Sequence, residues 1–138
     1  MSMDAPVTVL IASQCPDDHI TVAEVMSPYQ WAFHHTYSFF RAKELLQDQK
    51  FAVVICECDL MPWKDLLVGV LALPKPPSFI VASANADDRL WAEALNWGVY
   101  HVRAKPFQPT EVLRTLALGA LRWEFNMTLR SCLQSRSW

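Results

Sequence analysis

The feature that most constrains this chain is an alternation repeated five times. Short continuous apolar runs, rich in β-branched residues, are each followed by a polar turn and then by a segment with helical apolar spacing. Val7-Thr8-Val9-Leu10-Ile11-Ala12, Trp31-Ala32-Phe33-His34-His35 and Phe51-Ala52-Val53-Val54-Ile55-Cys56 are the first three runs; Phe79-Ile80-Val81-Ala82 and Val99 to Ala104 complete the set. Runs without polar alternation suit strands buried on both faces. Asp17 is expected to cap a first helix carrying Ile20, Val22, Ala23, Val25 and Met26, which stops at Ser27-Pro28 because the residue before proline disfavours helix. Ser38 is expected to cap a second helix with Phe39, Ala42, Leu45 and Leu46 on one face, and a third covers about Lys64 to Leu73. A fourth runs from Asp87 to Trp97 and closes at Gly98, where a left-handed residue is wanted; a fifth starts near Pro109. Strands alternating with helices predict a doubly wound α/β fold, a parallel sheet with helices on both faces. In such sheets the functional site lies beyond the carboxyl ends of the strands, where the strand order reverses.

The 138 residues fit one domain, and 52% hydrophobic against 19% charged residues predicts a packed globule. A net charge of −2, with the twelve Lys and Arg residues scattered, provides no stripe that tracks phosphates, so no direct contact with nucleic acid is expected. No apolar run approaches ~18 residues, and Met1-Ser2-Met3-Asp4 does not open a signal peptide; no membrane contact and a cytoplasmic location are expected. Cys15, Cys56, Cys58 and Cys132 form no CxxC pair and are expected to stay reduced. Cys56-Glu57-Cys58 without a nearby His cluster is a poor zinc signal, so neither metal nor cofactor is expected.

The turns after the runs carry an ordered set of residues. Cys58-Asp59-Leu60-Met61-Pro62 resembles the phosphorylation turn of response-regulator receiver domains, the CheY-like family, and Ser83-Ala84 and Lys105-Pro106-Phe107 resemble its later motifs. Gly98 before the fifth run and the spacing of these turns fit as well. The resemblance spans about Val7 to Leu121 and implies a flavodoxin-like five-stranded parallel sheet of order 2-1-3-4-5 with five helices. It assigns residues 1–121 to a receiver-like domain and 122–138 to an extension of the last helix or a tail.

Receiver domains accept phosphate on an aspartate, with magnesium neutralising the developing charge. The acceptor position, four residues before the proline of Met61-Pro62, is here Cys58, and the acidic pair that holds the ion is replaced by Ser13 and Gln14. Magnesium selects hard oxygen ligands, so both requirements fail together. Ser83 still matches the hydroxyl that binds a phosphoryl oxygen, and Lys105 the lysine that pairs with it. Their bland readings are a turn residue satisfying local backbone and a lysine bonded to strand-end carbonyls. Val102 stands where the family often has a switching aromatic, and Leu66 replaces a loop glycine, which predicts a different backbone path there.

The reading that follows is a pseudo-receiver: not an enzyme, and acting by phosphorylation-independent protein–protein interaction in a bacterial two-component or phosphorelay-type pathway. One alternative is an atypical receiver phosphorylated at Asp59 or Glu57; against it, neighbouring strand residues face opposite ways, which would aim those carboxylates away from Ser83 and Lys105. Another is a thiol sensor at Cys58, with Cys15 nearby. The resemblance implies that Trp91 and Leu95, on the outer side of the fourth helix, meet Val102 in an exposed patch that grips a protein partner or a second copy. Trp63 is expected at the rim of the former active site, Met61 in the core, and His34 and His35 at a strand edge. Beyond Leu121, the recurrence of Leu118, Leu121, Phe125 and Cys132 permits either a dimer seam or a helix folded back on the domain.

Overall fold

The computed structural model describes residues 7–135. Its elements are β1 (Thr8–Ala12), α1 (Pro16–Met26), β2 (Ala32–Thr36), α2 (Phe39–Asp48), β3 (Val53–Glu57), α3 (Trp63–Leu71), β4 (Ser78–Ser83), α4 (Asp88–Trp97), β5 (His101–Ala104) and α5 (Pro109–Ser135). The strands form one parallel sheet in the order β2-β1-β3-β4-β5, as expected for a flavodoxin-like fold.

Alternate residues of each central strand feed two apolar layers, which is why the runs read as continuously hydrophobic. Leu10, Val54, Cys56, Phe79, Val81 and Val102 pack under α2, α3 and α4. Val9, Ile11, Val53, Ile55, Ile80 and Ala82 pack under α1 and α5. Leu66 lies within α3 with its side chain buried in the first layer, and Met61 is buried there too. Trp63 is only 8% exposed and belongs to the same layer, so it is a core residue rather than a cover over the strand ends.

The helix boundaries have local causes. Ser38 caps α2 by accepting from the Arg41 amide at 3.2 Å, and Asp87 caps α4 by accepting from the Leu90 amide at 2.9 Å. Gly98 ends α4 with φ 99°, a left-handed conformation that a side chain would strain. Asp17 is not the cap of α1: that helix begins at Pro16, with Cys15 in the cap position and no side-chain cap bond. Proline suits the first helical position because its missing N–H would have had no helical partner. α5 continues through residue 121 as one helix of 27 residues, about 40 Å long.

Candidate functional site

Parallel pairing brings four strand ends level. Ala12 is opposite Cys56, Glu57 opposite Ala82, and Ser83 opposite Ala104, so Ser13, Glu57, Ser83 and Lys105 lie side by side along the carboxyl edge of the sheet. Ser13 is 1% exposed and Ser83 2% exposed, and Lys105 is largely buried as well. The expected pocket residues Ser13, Gln14, Cys58, Ser83 and Lys105 thus sit along this edge, but Ser13, Ser83 and Lys105 are held by acids, one of which, Asp18, the sequence reading did not include.

Asp18 is the first of these. From the first turn of α1 it returns to the sheet edge, where its Oδ2 accepts from Ser13 Oγ at 2.6 Å and from Lys105 Nζ at 3.0 Å. Lys105 is therefore paired with a carboxylate rather than with strand-end carbonyls. Burial pulls the Lys105 pKa down, but the hydrogen bond and charge of Asp18, with Glu57 and Cys15 behind it, more than offset that and leave it raised. A hydrogen-bond chain continues outward: His19 Nε2 lies 2.9 Å from the Ser13 carbonyl, and His19 Nδ1 lies 3.0 Å from His35 Nδ1. His35, read from the sequence only as a strand-edge residue, is thus tied to the site.

Asp59 is the second, and it corrects the expectation that its carboxylate turns away from Ser83. Ser83 Oγ donates to Asp59 Oδ1 at 2.6 Å, and the Ala84 amide donates to Oδ2 at 2.9 Å. Strand alternation does not govern this residue, because β3 ends at Glu57 and Asp59 lies in the turn. Ser83 Oγ also accepts from the Asn85 amide at 2.9 Å, so the hydroxyl both shapes its own turn and holds the acid. Glu57 is 1% exposed, and its carboxyl accepts from the amides of Gln14 and Leu60.

Each of these three carboxyl groups is already engaged by its own protein donors. Among the described residues no group of three or more His, Cys, Asp or Glu is placed to hold a metal ion. The donor set therefore does not fit the magnesium site of working receivers. Burial raises the pKa of the Cys58 thiol; a Ser83 hydrogen bond opposes the rise, and the charges of Asp59 and Glu57 add to it. Reactive cysteines need the opposite shift, so the thiol-sensor alternative gains no support.

The expected outer patch is not formed. Val102 is 1% exposed and buried beneath α4 in the core layer. Trp91 is half-buried, packed against that layer with its ring edge-on to His101 at 5.0 Å, and of the three only Leu95 is exposed. A doubly wound sheet covers both faces of β5, so an inward-facing Val102 is the ordinary outcome. Trp91→Ala is consequently expected to lower stability by about 1–2 kcal/mol, measurable by urea unfolding, a fraction of the cost of emptying a fully buried tryptophan site.

No family model matches the chain, and no curated protein matches it by sequence. Solved structures do match its fold. The signal receiver domain of a Luxo repressor protein from Vibrio parahaemolyticus superposes with a TM-score of 0.83 at 17% identity, covering 90% of this chain and 97% of that one. The signal receiver domain of an HD domain-containing protein from Pseudomonas fluorescens Pf-5 gives 0.79 at 20% identity, covering 89% and 93%. The receiver domain of a sensor histidine kinase from Pseudomonas aeruginosa PAO1, which has a magnesium ion coordinated in its active-site cleft, gives 0.71 at 17% identity, covering 84% and 98%. The chain has the fold of response-regulator receiver domains.

Proposed function

We propose that this chain is a pseudo-receiver, a signalling module of a two-component or phosphorelay-type pathway that binds a protein partner without being phosphorylated. The observation that carries this reading is the position of Asp59. Its two carboxylate oxygens take the Ser83 hydroxyl and the Ala84 amide, donors of the kind that would otherwise face a phosphoryl group. The donors that would receive a phosphoryl group carried on Asp59 are engaged by the Asp59 carboxylate itself, which counts against Asp59 as an alternative acceptor. Lys105 is likewise held by Asp18, and Cys58 is no carboxylate. The strand-end donors Ser83, the Ala84 amide and Lys105 are thus engaged by the chain's own acids.

On this reading magnesium has nothing to bind. Titration with the ion, followed by the fluorescence of the tryptophans, is expected to show no saturation below the millimolar range. Saturation at micromolar magnesium would mean that the acids rearrange into a metal site and that the reading is wrong.

A further inference from the structure

α5 carries an apolar stripe on its outer face. Leu118, Leu121, Phe125 and Leu129 are 48%, 61%, 64% and 46% exposed, Leu133 is 60% exposed, and Cys132 is exposed beside them. At about 100° per residue, positions 118, 121, 125, 129 and 132 fall within an arc of about 80°, roughly opposite the side on which Leu116, Ala120 and Trp123 meet the sheet. Met127, on the inner side of the helix, and Asn126, on its flank, line a cavity with Leu71, Pro76 and Phe79, so the helix stays against the body beyond Leu121 while the stripe faces out.

We infer that this stripe is a homodimer seam, closed by the same stripe of a second copy running antiparallel. Two properties favour a second copy over another partner. The steps from 118 to 132 are three, four, four and three residues, an arrangement that reads the same in both directions about Phe125. A two-fold axis at Phe125 therefore sets Leu118 against Cys132, Leu121 against Leu129 and Phe125 against its own counterpart, so the five residues of the arc are all matched while Leu133 lies beside it. The eleven-residue recurrence of 118 with 129 and of 121 with 132 is also one that paired helices keep in register over several turns. The area suffices: half-exposed side chains of this size offer roughly 500 Å² a side, or roughly 1,000 Å² in all, the size at which specific interfaces begin to hold. The inference goes beyond the pocket reading and does not depend on it, since the stripe lies on the outer face of α5 and includes none of the strand-end residues.

Sedimentation equilibrium of the full chain over a wide concentration range tests it. A monomer–dimer equilibrium is expected. Phe125→Glu, which sets two like charges at the axis, and independently Leu121→Glu, should each weaken it at least about thirtyfold while leaving the far-ultraviolet circular dichroism of the monomer unchanged. Combining Leu121→Glu with Leu129→Lys in one chain brings opposite charges together only in an antiparallel pair and should restore part of the lost association. A chain that stays monomeric at high concentration, a dimer indifferent to the two glutamate variants, or a double variant with no recovery would each overturn the proposal.

Discussion

Asp18→Ala is expected to cost about 2–3 kcal/mol of folding stability, read as a lowered urea midpoint, although the residue lies on a helix outside every motif of the turns. Removing it strips a 3.0 Å partner from Lys105, whose side chain is 12% exposed, and leaves the Ser13 hydroxyl without its acceptor. An ammonium left unpaired in such a setting loses far more than a surface ion pair would, because water replaces the lost partner only in part. Replacing both members, with Asp18→Leu and Lys105→Met, should recover much of the loss, since the desolvation cost of the pair disappears with it. The pair also fixes a pH dependence. The Lys105 pKa is raised on folding, so its contribution is fully present below the unfolded lysine value of about 10.4 and fades as pH climbs through the folded value. The Asp18→Ala variant should lose that alkaline limb.

The second large effect is a gain rather than a loss. Cys58→Asp alone is expected to remain unlabelled by acetyl phosphate, because a new nucleophile has neither an ion beside it nor a released Ser83. Adding Ser13→Asp and Gln14→Asp supplies the missing hard ligands, and adding Asp59→Asn weakens the competing carboxylate. The fourfold variant should label at least about tenfold faster than Cys58→Asp, a difference of about 1.4 kcal/mol in barrier, when phosphate incorporation is followed by mass spectrometry. Ser13→Asp also brings a second carboxylate beside Asp18, so this variant should be stabilised by magnesium where the parent is not. Equal labelling of Cys58→Asp and the fourfold variant would show that metal ligation and the Asp59 contact are irrelevant.

The layers of this fold were legible because each apolar run had one plausible use, a strand covered on both faces. The cap at Ser38 and the left-handed Gly98 were legible because each rests on local backbone chemistry. The site was legible only in part. Ser13, Ser83 and Lys105 were found by the resemblance of their turns to receiver-domain motifs, but the acids that hold them depend on contacts no local rule supplies. Asp18 and Lys105 are 87 residues apart in sequence. An acid in the turn of helix that follows Ser13 and Gln14 was the available signal for Asp18, whereas only its neighbour Asp17 was read, as a cap. Asp59 was misjudged by extending strand alternation two residues past the end of β3, into a turn where it no longer applies. Val102 was misplaced for a related reason: in a sheet covered on both faces, alternation distinguishes two interiors rather than inside from outside.

The central claim, that the strand-end site is organised by Asp59 and Asp18 in place of a phosphoryl group, meets its most direct test in the parent chain exposed to acetyl phosphate with magnesium and analysed by intact mass and peptide mapping. The account predicts that no phosphoryl adduct accumulates under conditions that label a working receiver domain run in parallel. A hydroxylamine-labile phosphoryl group on Asp59 or Glu57, dependent on magnesium and lost in the corresponding Asn or Gln variant, would contradict it.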